Sequence, residues 1–129
     1  MAHFIAEYSA NLEASIDFQA LFEQVNHFLA STGIFPLSGS RSRAIRIDHY
    51  LVADGQHDYA FVHMTLKVGA GRDTEVQQGI ATELYQLLEQ FFQPLQDKRL
   101  LAISFEMREL NPILNFKSNN IHKFLIDHP

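Results

Sequence analysis

Apolar residues in this 129-residue chain switch from a repeat of two to a repeat of 3.6 and back, and the whole sequence of switches happens twice. His3 to Tyr8 alternates, with Phe4, Ala6 and Tyr8 on one side and His3, Ile5 and Glu7 on the other, as a short strand does. Between Asp17 and Thr32, Leu21, Phe22, Val25, Phe28 and Leu29 recur at helical spacing, and Gly33 followed by Pro36 supplies a stop. Arg43, Ile45, Ile47, His49 and Leu51 then alternate with Ala44, Arg46, Asp48 and Tyr50, which predicts a second strand running to a turn near Asp54 and Gly55.

The third strand is the plainest. Ala60, Val62, Met64, Leu66 and Val68 form an unbroken apolar side opposite Phe61, His63, Thr65 and Lys67, so one face is expected to be buried and the other partly polar. After Gly69-Ala70-Gly71, Thr74 with Gln77 three residues on reads as a capping box. Ile80, Leu84, Leu87, Leu88, Phe91, Phe92 and Leu95 then draw the stripe of an amphipathic helix. A fourth strand is expected from Arg99 to Leu110, where Leu101, Ile103, Phe105 and Met107 alternate with Ala102, Ser104, Glu106 and Arg108.

Two β-α-β units, 3–54 and 59–110, followed by a tail at 111–129, suggest an internal duplication within a single domain. At an offset of 58 residues the first strand falls on the third, and Ala44, Ile45, Ile47 and Asp48 fall on Ala102, Ile103, Phe105 and Glu106. Right-handed crossovers place both helices on one face of a four-stranded mixed sheet, an α+β architecture. The other face mixes Ile5, Ile45, Ile47 and Phe61 with charge, which is the composition of a subunit interface. Ile113, Leu114, Phe116, Ile121, Phe124 and Leu125 make the tail too apolar for a free terminus, so it is expected to dock on a neighbour or under its own sheet.

Composition narrows the chemistry. Fifteen acidic against ten basic residues give a net charge of −5, so the general field repels nucleic acid and anionic membranes, and any anion must be held locally. No apolar run reaches the ~18 residues of a membrane span, and Met1-Ala2-His3-Phe4 lacks the features of a secretory signal, so a cytoplasmic protein is expected. The absence of cysteine removes thiolate nucleophiles and Cys-based zinc sites. His3, His27, His49, His57, His63, His122 and His128 show no metal-binding spacing. His3 and His63 lie on similar strand faces, where they edge a pocket or hydrogen-bond across the sheet. Asp58 beside His57 has the look of a dyad, but no nucleophile motif accompanies it.

Several runs carry a more specific signal. Thr32-Gly33-Ile34-Phe35-Pro36-Leu37, Arg41-Ser42-Arg43, the stretch from Ala53 to Lys67, Gly69-Ala70-Gly71-Arg72 and Leu114-Asn115-Phe116-Lys117 resemble, in order, those of the 5-carboxymethyl-2-hydroxymuconate isomerase family of the tautomerase superfamily. That resemblance implies a homotrimer of duplicated β-α-β subunits and a cofactor-free keto-enol isomerisation of an unsaturated carboxylic acid, in the breakdown of homoprotocatechuate. It also implies that an amino-terminal proline, exposed by removal of the initiator methionine, is the general base. Here that residue is Ala2, a primary amine in place of the family's secondary one. An α-amino group near ~7.7–8.0 is already close to the pKa such a base needs, and burial beside cations lowers it further. The resemblance implies that Arg41 and Arg72 hold substrate carboxylates, a task suited to a planar, permanently charged guanidinium. Arg72 also precedes the second helix, where backbone donors favour an anion. Phe35 and Phe61 are candidates to line an apolar part of the pocket. Arg43, Arg46, Arg99 and Arg108 have no such support and read as surface or interface charges. The competing expectation is a tautomerase-like trimer that has lost efficient catalysis and binds a carboxylate or a partner protein.

Overall fold

Alternation along the first strand and the third places Ala2, Phe4, Ala6 and Tyr8 beside Ala60, Val62, Met64, Leu66 and Val68, and this double row is the floor of the hydrophobic core. The computed structural model describes residues 1–129. Its main elements are β1 (Ala2–Ser9), α1 (Phe18–Ser31), β2 (Ser40–Ile47), β3 (Ala60–Val68), α2 (Thr74–Gln96), β4 (Leu101–Glu109) and α3 (Ile121–Asp127). The strands form one sheet of order β2-β1-β3-β4. β1 runs parallel to β2 and antiparallel to β3, and β3 runs parallel to β4. The mixed four-stranded α+β sheet read from the sequence is therefore present.

Both long helices cover the same face. Leu21, Val25 and Leu29 of α1 and Ile80, Leu84, Leu88 and Phe92 of α2 are buried with the strand residues of matching parity. The Asp17 carboxylate accepts from the Ala20 amide at 3.1 Å and starts α1. Gly33, at φ +75°, ends it, in a left-handed conformation that a side chain would strain. α2 begins differently from the expected capping box. Asp73 is the flanking residue and makes no side-chain cap, Thr74 is already helical, and the Gln77 side chain donates from Nε2 to the Arg72 carbonyl at 3.0 Å.

The repeat also needs correcting. Ala2 pairs with Ser40 but Ala60 pairs with Leu101, so the second crossover is three residues longer than the first. An odd difference reverses the facing, and the constant 58-residue offset would match core-facing Ala44 with Ala102 on the opposite face. The longer α2, 23 residues against 14, occupies the extra chain. β2 stops at Ile47, short of the turn expected near Asp54, because its only partner β1 ends at Ser9 and leaves the continued alternation unpaired.

The second face carries rows set by register: Arg41, His3, Lys67 and Arg108 in one, Arg43, Ile5, Thr65 and Glu106 in the next. Of that face only Ile5, Thr65 and, at the end of β1, Ser9 are buried. His63 and Ser104 hydrogen-bond across it at 2.7 Å, the cross-sheet role anticipated for that histidine. The tail goes neither under the sheet nor free. Its short helix α3 packs on the one-turn 3-10 helix Leu37–Gly39, while Ile113, Leu114, Phe116 and Phe124 stay exposed. No helix is long and apolar enough to cross a membrane.

Leu84 is fully buried between α2 and the sheet. Leu84→Ala is expected to cost about 2–5 kcal/mol, the range for a large-to-small change in a packed core. Urea denaturation at one fixed protein concentration measures it, and a loss well under about 1 kcal/mol would mean that this stripe does not carry the core.

Candidate functional site

Register gathers the site. Ala2, the first residue of β1, pairs with Ser40 at the start of β2 and with Val68 at the end of β3. The amino terminus, the Pro36–Arg41 segment and the Gly69–Arg72 loop therefore meet at one rim of the sheet. Ala2 itself is buried and belongs to the core, while Met1 is half-buried beside Gly39.

The Met1 amine sits below the ordinary pKa of an α-amino group. Burial is the largest cause, followed by the positive charges of Lys117, Arg72 and Arg41. Both sequence-predicted arginines thus act on the same terminus. Lys117 does so as well, and it is a residue that sequence reasoning missed as a site member.

Arg72 is held in place by neighbours that do not neutralise it. Its Nη1 donates to the Gly69 carbonyl at 2.8 Å, and its guanidinium lies over the Phe35 ring, 4.6 Å from the centroid. A β-carbon at position 69 would lie 3.6 Å from that Nη1, an ordinary van der Waals contact, so the approach does not depend on glycine there. Gly71, at φ +105°, lets the chain turn, and its amide donates to Glu109 Oε2 at 3.0 Å, as does the Gln77 side chain at 3.3 Å. The anion expected from backbone donors ahead of α2 is thus supplied at the Gly71 amide by the chain's own Glu109. That leaves the Arg72 guanidinium as the group that can meet a ligand.

Arg41 extends from β2 toward His3, its Nη1 3.4 Å from His3 Nε2, and Arg43 Nη1 lies 3.3 Å from His3 Nδ1. Burial and then the charges of Arg41 and Arg43 lower the His3 pKa, which favours the neutral ring. A neutral imidazole accepts at one nitrogen only, so at most one of the two arginines is satisfied there.

The remaining candidates separate. Phe35 is buried, 1% exposed, and supports Arg72 from below instead of lining open space. Phe61 lies at the opposite end of β3 from Val68, against Tyr50 with ring centroids 6.0 Å apart, so within one chain it is remote from the amine. His57 and Asp58 do not form a dyad, since Asp58 takes Arg99 at 3.2 Å and Asn11 at 2.9 Å while the His57 ring faces Tyr59. Arg99 is accordingly structural, tying the start of β4 to the Asn11 carbonyl and to Asp58.

Beside Met1 opens a cavity of ≈ 340 Å³, lined by Pro36, Ser38, Gly39, Lys117, Asn119 and His122. Asn119 donates to the Ser38 carbonyl at 3.0 Å and His122 Nδ1 lies 2.7 Å from Ser38 Oγ, so the tail is fastened across this opening. An amine with depressed pKa, ringed by cations and open to a cavity, can take and return a proton next to an anion.

The pH dependence of the amine follows. Reaction of the terminus with an acylating probe should reach half its plateau below the usual ~7.7–8.0 of an α-amino group, because the neutral form is favoured. Arg72→Ala removes one cation and should move that midpoint upward. A midpoint unchanged by the substitution would mean that Arg72 does not act on the terminus.

Known proteins place this arrangement. The family model for 5-carboxymethyl-2-hydroxymuconate isomerase matches residues 2–125. A 5-carboxymethyl-2-hydroxymuconate Delta-isomerase of Escherichia coli is 54% identical over 122 residues, 95% of this chain and 97% of its own. The crystal structure of a 5-carboxymethyl-2-hydroxymuconate isomerase from Deinococcus radiodurans R1 superposes with a TM-score of 0.89 at 34% identity, covering 96% of this chain and 93% of that one. A fused 4-OT symmetric trimer shares the fold, at a TM-score of 0.66 and 13% identity, over 92% of both chains. On residues, fold and length together, the chain belongs to the 5-carboxymethyl-2-hydroxymuconate isomerase family.

Proposed function

We propose that this protein is a cofactor-free isomerase that converts 5-carboxymethyl-2-hydroxymuconate, or a close unsaturated carboxylate, from its dienol to the conjugated ketone. The observation that carries the reading is the rim where the amino-terminal end of β1 meets Arg41, Arg72 and an open cavity, an environment whose burial and cations already depress the pKa of the amine that Met1 carries. Family membership and the 54% identical isomerase support it.

The neutral amine takes the proton of the 2-hydroxyl as the enol oxygen becomes a carbonyl. The electron pair shifts along the diene, and the ammonium returns the proton to a carbon at the far end, so nothing is gained or lost overall. Arg41 and Arg72 grip carboxylates and offset the negative charge that spreads through the dienolate. A low amine pKa keeps the base unprotonated before each turnover and makes its conjugate acid ready to give the proton back.

Ala2 decides which amine does this. With Met1 removed, the Ala2 nitrogen is the base, fixed at the rim by its strand partners Ser40 and Val68. With Met1 retained, the amine shifts by one residue, about 3.8 Å between α-carbons, and the Ala2 nitrogen becomes a non-basic amide.

The same reading includes a homotrimer whose subunits meet through the second sheet face and the tail. Ile45 is 45% exposed on that face, and Ile113, Leu114 and Phe116 are more than two-thirds exposed in the tail, surface that a separate chain would leave wet. Sedimentation at micromolar concentration should show three times the 14.8 kDa of one chain. A stable monomer would remove the assembly.

Three proteins, checked by mass, test the base: Met1-cleaved, Met1-retaining and Met1-cleaved Ala2→Pro. The proline form should be fastest and the Met1-retaining form slowest, within the ~10²–10⁴-fold that general acid–base catalysis contributes. Arg72→Ala is expected to lose about 1.5–3 kcal/mol in kcat/KM, the worth of a hydrogen bond to a charged group. Equal rates for all three amino-terminal forms would take the base away from the terminus and favour a trimer that binds a carboxylate without processing it efficiently.

A further inference from the structure

We propose that Lys117 is a specificity-determining residue that receives a third carboxylate, so that this site selects tricarboxylate over dicarboxylate dienols. The inference rests on the isomerase reading and assigns a role within the same site to the tail.

Lys117 lies in a segment without regular structure between β4 and α3, and its side chain is exposed. What brings it to the site is Ser38. Asn119 holds the Ser38 carbonyl and His122 the Ser38 hydroxyl, two and five residues beyond Lys117 and only three residues before Arg41. With the following residues pinned at both points, Lys117 lines the ≈ 340 Å³ opening together with Met1, and it is the only lysine or arginine of a lining that contains no carboxylate side chain. Lys117 takes part in none of the chain's ion pairs, which are Arg46 with Asp48, His63 with Glu106 and Arg99 with Asp58. Three cations, Lys117, Arg72 and Arg41, act on one amine in a chain whose net charge is −5. Such a local surplus is costly unless a ligand of matching charge fills it.

The ligand class follows from the count and from the kinds of cation. A hydroxymuconate carries a carboxylate at each end of a rigid planar diene, which suits two guanidiniums that offer fixed, paired donors. A carboxymethyl branch adds a third carboxylate on a rotatable carbon. A lysine ammonium, a compact charge on a flexible stem, suits a group whose position is not fixed by the diene. On this assignment the arginines serve any dienol diacid and Lys117 serves the branch.

The test is a ratio. Wild type, Lys117→Met and Lys117→Arg are compared, as full chains, for kcat/KM on 5-carboxymethyl-2-hydroxymuconate and on 2-hydroxymuconate, which has the same diene without the branch. Taking the ratio removes the effect that losing a cation has on the amine, because both substrates use the same base. Lys117→Met should lower the preference for the branched substrate about tenfold, mainly through KM, the scale of one charge-assisted hydrogen bond, while Lys117→Arg keeps most of it. An unchanged ratio in Lys117→Met would overturn the proposal. Calorimetry with unreactive propane-1,2,3-tricarboxylate and glutarate keeps the two claims apart. If wild type converts neither dienol, the isomerase reading fails. The binding pair still decides Lys117, because a preference for the triacid that disappears in Lys117→Met supports the assignment and equal preferences in the two proteins overturn it. Thermal melts of the three proteins establish that each is folded when measured.

Discussion

The site depends on the pairing of β1 with a strand on each side. Main-chain bonds to β2 and β3 fix Ala2–Ser9 in the centre of the sheet, and the buried row Ala2, Phe4, Ala6 and Tyr8 fixes which way up it lies. Strand side chains alternate with a period of two, so a slip of one residue would turn Phe4 outward and drive His3 and Glu7 into the core. The core therefore sets the position of the amino terminus along the sheet. A chain end is normally mobile. Here the strand partners of Ala2, Ser40 and Val68, lead directly into the segments that carry Arg41 and Arg72, so the rigidity of the sheet is passed to the candidate site.

How much of this was legible from the residues depended on the range of each interaction. The strands and long helices are local patterns, and Asp17, Gly33 and the Ile80–Phe92 stripe state their roles within a few residues of themselves. The end of β2 was not legible, because the alternation from Arg43 to Leu51 continues smoothly and only the short partner β1 stops it at Ile47. The second β-α-β unit matched the first at one offset in sequence but not in space, since three extra residues in its crossover exchange the faces of β4. α3 was missed because it is only seven residues long: Ile121, Phe124 and Leu125 do recur at helical spacing, but so short a stretch gives the pattern no second turn to repeat in. Arg41 was visible only through the resemblance, and Arg72 through the resemblance and its place ahead of α2. Lys117, Asn119 and His122 join the opening through Ser38, more than 75 positions earlier in the chain, and no local pattern announces such a contact.

Electrostatics around the terminus differ from those of the chain as a whole. With a net charge of −5, the protein repels anions at a distance, and at ordinary ionic strength that field fades within ~8–10 Å. At the rim the balance reverses. Arg41, Lys67, Arg108 and His3 share one row of the second face, and Arg72 and Lys117 stand at the terminus. The same cations that would draw a carboxylate also destabilise the ammonium form of the amine, so attraction of an anion and the lowered amine pKa have one physical origin. A bound anion would partly cancel those charges and raise the amine pKa. That favours proton uptake in the complex, the first step of the proposed isomerisation.

What distinguishes the arginines here is the character of their partners. Arg46 and Arg99 each lie on an aspartate, Asp48 at 3.0 Å and Asp58 at 3.2 Å, and their charge is spent within the fold. Arg72 rests on a carbonyl and an aromatic face, and Arg41 on a histidine that is held neutral. These contacts fix direction without supplying a counter-charge. A guanidinium held by neutral groups keeps its electrostatic capacity for a ligand and pays little side-chain entropy when one binds, because its orientation is already restricted. Phe35 matters for this reason although it meets no open space: its buried ring supports the Arg72 guanidinium, and the Gly69 carbonyl fixes its Nη1.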